Sequence, residues 1–190
     1  MRPYAWMIDH TPQTEWIKKQ GILFWLAFFF IELGAGTFIV SSVFNNLPGM
    51  LVGWLICATL GGGLHLIYLG HPLRFWRMLI SSGWKTSWIS RGLYFVMFFL
   101  LLGAIHMILV QWASPSLSLL IIADVFAFLV VIYGGFAMNY VNSIPLWNTG
   151  LLPVLYLIAG LWGGAGVLLI TMLVTGTPMV AAVEEWARIF

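Results

Sequence analysis

Long apolar runs separated by short polar breaks organise this chain. Five of them, over residues 21–44, 50–70, 92–112, 117–140 and 151–174, are long enough to cross a bilayer as α-helices. The breaks around Asn45 to Gly49, Ala113 to Ser116 and Val141 to Gly150 carry Pro, Asn or Ser, as tight helix–helix connections do. Pro153 falls in the first turn of the fifth run, where its missing N–H costs nothing. Residues 71–90 depart from the pattern. There Arg74, Arg77 and Lys85 alternate with Trp76, Trp84 and Trp88, which predicts a segment lying in the headgroup layer of a membrane. The tail beyond residue 179, with Glu184, Glu185, Trp186 and Arg188, reads as a surface helix or a loose end. The fold expected is all-α: a polytopic membrane bundle of about five transmembrane helices plus an interfacial loop, forming a single integral membrane domain over residues 1–190.

Composition narrows this further. The chain is 62% hydrophobic and 7% charged, more apolar surface than a soluble domain of 190 residues can bury. Cys57 is its single cysteine, which excludes a disulfide framework, a haem-attaching CxxCH and a four-Cys iron–sulfur site within the chain. Cys57 lies in an apolar run and reads as a small packing residue. The lead through Lys18 and Lys19 is followed by an apolar run too long for a cleaved signal, so that run is expected to remain as a helix. Charge is lopsided. With five alternating helices, one face carries Arg2, Lys18, Lys19, Arg74, Arg77, Lys85 and Arg91, seven of the eight basic residues. The positive-inside rule places that face, and the N-terminus with it, in the cytoplasm of a cytoplasmic (inner) membrane. The competing reading is that these charges dock an acidic partner subunit. Glycines cluster at Gly34 and Gly36, Gly61 to Gly63, Gly134 and Gly135, and Gly160 to Gly166, which reads as close helix packing or as a cavity for a flat ligand.

Three ionisable residues, Glu32, His106 and Asp124, fall inside the spans. An Asp at a helix centre costs roughly 2.5–3.5 kcal/mol on insertion scales, so such groups usually serve a proton, an ion or a ligand. At ~1.5 Å of rise per residue, Tyr133 comes out ~6–11 Å below the basic face, His65 ~8 Å, Glu32 ~16 Å, and His106 with Asp124 ~20–22 Å. This ladder suits proton transfer between that face and the interior. His106 and Asp124 equally suit a buried pair that locks the third helix to the fourth, Glu32 a protonated carboxyl bonded to a neighbouring helix, and His65 a hydrogen-bonded contact residue. A haem held by two histidines needs both at one level, whereas His65 and His106 differ by ~14 Å in depth, which disfavours a haem.

The stretch HLIYLGHPLRFWRMLISSGWKTSWISRG, residues 65–92, resembles the NrfD family, the membrane subunits of polysulfide reductase and related respiratory complexes. The residues carrying the likeness are Leu69, Gly70, Pro72, Arg74, Phe75 and Trp76, then Ser87, Trp88, Ser90, Arg91 and Gly92, with His71 where many members have Arg. IPLWNTGLLPVLYL, residues 144–157, is similar to the family's loop and helix start, and the ELGAG at residues 32–36 to its Gly-rich first span.

The resemblance implies a subunit without redox metals of its own. It would pass electrons between a membrane quinone (menaquinone or ubiquinone) and a ferredoxin-like iron–sulfur subunit serving a catalytic subunit, often a molybdopterin enzyme of anaerobic respiration. It implies a quinone contact at Tyr133, with His10 or Gln20 near the first helix contributing polar groups. From chemistry alone, His65 at the same level as Tyr133 can supply a further hydrogen bond, and Glu32 a proton. Arg74, Arg77, Lys85 and Arg91 are expected at the partner interface. Members typically carry eight or more helices in two four-helix bundles. This chain would therefore supply one bundle and part of the next, as a short branch, beside a second membrane subunit, or paired with its own copy. The alternatives are a ligand-free structural anchor and a b-type cytochrome subunit. A small transporter is disfavoured, because no inverted repeat or broken-helix pair is evident.

Overall fold

The computed structural model describes residues 9–18, 20–80, 82–112, 117–177 and 180–189. Arg2 and Lys19 of the basic face lie outside the described residues. Five helices are long and apolar enough to cross a membrane: α1 (Gly21–Val43), α2 (Leu47–Tyr68), α4 (Trp88–Trp112), α5 (Leu117–Asn139) and α6 (Leu151–Thr175). Two shorter helices are also found among the described residues, α3 (Trp76–Ile80) in the surface segment and α7 (Val180–Ala187) in the tail. No strand occurs among the described residues. The result is a polytopic helical bundle, as the hydropathy pattern predicts.

Helix ends follow local chemistry that hydropathy does not register. α2 starts three residues before the apolar run because Asn46 caps it, accepting from Gly49 N at 2.7 Å, with Pro48 in the first turn. It stops at Tyr68 because Gly70 adopts φ +67°, a left-handed backbone that closes a helix. α4 begins at Trp88 rather than Gly92, since its first turn is polar and aromatic and Ser87 accepts from Ser90 N at 3.4 Å. Inside α2, Ile56–Gly61 forms a π-helical stretch, which widens the helix locally and offsets the face carrying His65. The surface segment consists of 3-10 turns at Pro72–Arg74 and Ser82–Lys85 around α3. The tail is a surface helix: Val183 of α7 is fully buried against α6, and Trp186 meets Phe44 edge-on at 6.2 Å.

α1 is the central mast. It packs against α2, α5 and α6 together, and 56% of its apolar window is buried, against 17% for α4. Small residues make this closeness possible. A Cβ at Gly36 would run into the Gly160 carbonyl of α6, and one at Gly164 would stand 2.5 Å from the Gly36 carbonyl carbon. On the opposite side, a Cβ at Gly34 would stand 2.6 Å from the Gly53 carbonyl oxygen of α2. With apolar solvent all round, helices gain little by burying oil, so such backbone contacts carry the packing. α4 is held mainly by α5, and by Trp54 of α2, whose indole N–H donates to Leu100 O at 2.8 Å.

Gly36→Leu should force α6 off α1 and destabilise the bundle by at least ~1–3 kcal/mol, the usual cost of overpacking. Gly63→Leu, where a Cβ meets nothing within 4 Å, should be tolerated. The temperature at which the buried Cys57 thiol becomes reactive to a maleimide in detergent reads both: it should fall for the first and hold for the second.

Candidate functional site

The structure brings Tyr133 and His65 together. They lie 68 positions apart, on α5 and α2, with Tyr133 Oη 3.5 Å from His65 Nε2. Both rest on Phe28 of α1, at centroid distances of 5.4 Å and 5.2 Å. Gly92 at the start of α4 clears room for the Tyr133 ring; a side chain there would collide with it. The phenol ring is thereby enclosed, with 3% exposure, while His65 is half-buried.

The hydrogen-bond pattern sets the orientation of His65. Its Nδ1 lies 3.1 Å from the carbonyl oxygen of Gly61, the last residue of the π-helical stretch. A carbonyl only accepts, so Nδ1 carries the proton. In the neutral ring Nε2 is then bare, and the Tyr133 hydroxyl donates toward it. Gly61 can occupy its place because a side chain there would strike Ile31 of α1.

Deeper in the bundle the polar groups take two further positions. Glu32 is buried on α1, one turn beyond Phe28, and its side chain passes over Gly160, where a Cβ would stand 3.0 Å from Glu32 Cγ. Asp124 of α5 accepts from the Ser42 hydroxyl of α1 at 2.8 Å. Ser42 Oγ is also 2.8 Å from Ile39 O. One hydroxyl proton serves one of these acceptors at a time. When Ser42 turns to Ile39, its bond with Asp124 survives only if the carboxyl itself carries a proton. Asp124 Oδ1 and His106 Nδ1 are buried without partners among the described residues. His106 and Asp124 do not form the direct pair that their shared depth allowed: among the described residues the ion pair present is Lys18 with Glu15, at 3.3 Å. Ser42 supplies the interhelical bond instead.

The remaining candidates separate. His10 and Gln20 are exposed, and neither is hydrogen-bonded to Tyr133 or His65. The N-terminal segment is tied to the α5–α6 connection by Thr11 N donating to Ser143 O at 3.0 Å. Arg74, Arg77 and Lys85 are exposed on the surface segment. Arg91 faces inward. It donates to Trp84 O at 2.9 Å and Lys85 O at 2.6 Å, and stacks over Trp88 at 4.7 Å. The Tyr94 hydroxyl donates to Leu79 O, fastening the same segment to α4. Sequence reasoning missed Ser42, whose hydroxyl looks like an ordinary helix-end serine, and Tyr156, whose phenol sits in an apolar run one turn before Gly160.

In nitrogen-15 spectra of the bilayer-embedded protein, His65 should show a protonated Nδ1 and a bare Nε2, and Tyr133→Phe should shift Nε2 alone. A protonated Nε2 with a bare Nδ1 would refute this orientation.

The family model for polysulphide reductase, NrfD, matches residues 6–182. Over 179 residues the sequence is 32% identical to the C subunit of the polysulfide reductase of Wolinella succinogenes, a match covering 78% of this chain and 56% of that protein. The chain therefore spans about half the length of that curated relative. No solved structure matches it.

Proposed function

The chain belongs to the polysulphide reductase NrfD family, and from that membership we propose that it is the quinone-reactive membrane subunit of a respiratory oxidoreductase. It would be a multi-pass protein of the cytoplasmic membrane with its basic face toward the cytoplasm. The relative is, by its name, one subunit of a reductase. The partners would be a ferredoxin-like iron–sulfur subunit and, beyond it, a catalytic subunit of the molybdopterin enzyme class.

One observation carries the reading: a phenol and an imidazole meet inside the apolar spans, near the basic face, on two helices held to a common mast. Reduction of a quinone to a quinol takes two electrons and two protons. The iron–sulfur partner supplies the electrons. The protein must offer a hydrogen-bond donor to a ring oxygen and a path for protons. The Tyr133 hydroxyl is such a donor. It points at His65 Nε2, and a bound ring oxygen would compete for its proton. With the hydroxyl turned to the quinone, His65 Nε2 would take up a proton from the aqueous face and return it to Tyr133, its Nδ1–H staying on the Gly61 carbonyl, and two such transfers supply the two protons. The 3.5 Å separation is long for a hydrogen bond and leaves room for this exchange of partners. Glu32, and further in Asp124 with Ser42 and His106, would extend the protonatable positions toward the opposite face.

The exposed Arg74, Arg77 and Lys85 offer the iron–sulfur subunit a basic surface above the site. Arg91, bound to two carbonyls of the surface segment, gives that surface its shape.

Tyr133→Phe and His65→Ala, each in the assembled complex, should lower quinone-linked turnover by roughly 10²-fold, the lower end for loss of a proton-transfer group. Dye-linked activity of the catalytic partner should persist. Full quinone-linked turnover in both variants rejects the site; failure to assemble assigns the pair to structure instead.

A further inference from the structure

Glu32 and Tyr156 share a cleft on the flank of the bundle, between α1 and α6, with a volume of about 210 Å³. Trp25 and Phe29 form its α1 wall, and Leu155, Tyr156 and Ala159 its α6 wall. Glu32 and the Tyr156 hydroxyl are near enough to interact electrostatically, and neither is hydrogen-bonded among the described residues. The cleft thus offers a carboxyl and a phenol close to one another, and each would gain from an oxygen-bearing ligand. A groove meant only for an acyl chain needs neither group.

The cleft is built. Gly160 lacks the side chain that would displace Glu32 Cγ, and Gly134 lacks the one that would stand 2.5 Å from Tyr156 Cε1. Trp25 and Phe29 are about half exposed and nearly parallel, at 19° and 6.3 Å between centroids, so their outer edges border a slot suited to a flat ring. Tyr156 packs against Gly134, the residue after Tyr133. The cleft and the Tyr133–His65 pair therefore lie on either side of one stretch of α5 and Phe28.

We infer that this cleft is a second binding position for the quinone ring, entered sideways from the bilayer, with Glu32 and Tyr156 hydrogen-bonding the ring oxygens. The volume admits a ring and leaves an isoprenoid tail in the lipid. This inference rests on the quinone reading above, but it concerns different residues. The cleft would hold the ring at the depth of Glu32, with Gly134 and Phe28 between it and the Tyr133–His65 pair.

The test is photolabelling of the assembled complex in nanodiscs with an azido-naphthoquinone, with labelled peptides mapped by mass spectrometry. Labelling of α1 and α6 around Trp25, Phe29 and Tyr156 is expected. Ala159→Trp, which fills the cleft from its lipid-facing mouth, should reduce that labelling about tenfold. Ile158→Trp, on the exposed face beside it, should not. Tyr156→Phe keeps the ring and removes one hydrogen bond, and should lower labelling about fivefold. Labelling confined to α2 and α5 near His65 and Tyr133 overturns the second position and leaves the quinone reading standing. Labelling nowhere, with no quinone-linked turnover, overturns both. A photoreactive phospholipid that labels the cleft and resists displacement by 2,3-dimethyl-1,4-naphthoquinone assigns it to an acyl chain and overturns the inference.

Discussion

The closeness of α1 to its neighbours is the constraint from which the rest of the bundle follows. In hydrocarbon surroundings an apolar side chain gains little by moving from lipid to protein, so helices hold together through backbone proximity, packing and a few hydrogen bonds. Gly36 against Gly160 and Gly164, and Gly34 against Gly53, let three helix backbones approach almost to contact. α1 thereby becomes a mast buried on most sides, and each neighbour's height and rotation is set against it. Position along the chain then translates into depth, and residues far apart in sequence reach the same level.

Site geometry inherits this. Phe28 projects from the mast, and both Tyr133 and His65 settle on its ring. Two local devices finish the arrangement. The π-helical stretch of α2 ends at Gly61 and presents a carbonyl to His65, and Gly92 gives the Tyr133 ring space at the entry of α4. At the other end of α1, Ser42 reaches across to Asp124, so one helix positions protonatable groups at several depths. Family membership gives these groups a chemical setting, and the proposed quinone role uses the pair nearest the basic surface.

Much of this was legible in the sequence, for identifiable reasons. Five spans announce themselves because a bilayer demands long uninterrupted apolar runs. Counting helical rise puts Tyr133 and His65 at a similar depth, while their approach to 3.5 Å depends on helix rotation about Phe28. Other features depend on tertiary detail that no one-dimensional pattern carries. The four-residue extension of α4 is hidden by Trp88, Ser90 and Arg91, which look like loop until the Arg91 guanidinium is seen holding two carbonyls. His106 and Asp124 share a level, yet helix rotation turns Asp124 to Ser42. The π-helical stretch has no hydropathy signature, and its effect on His65 appears only in space. His10 and Gln20, placed by resemblance, lie on a segment whose course depends on the contact of Thr11 with Ser143.

The central claim is that the mast holds Tyr133 and His65 beside a membrane quinone, beneath an iron–sulfur partner. A density map of the assembled complex with a naphthoquinone bound tests it most directly. The account predicts the partner seated on the surface of Arg74, Arg77 and Lys85, with Tyr133 and His65 between its nearest cluster and the ring. A map with the partner at the opposite end of the bundle, or with Tyr133 and His65 turned toward acyl chains, would contradict it.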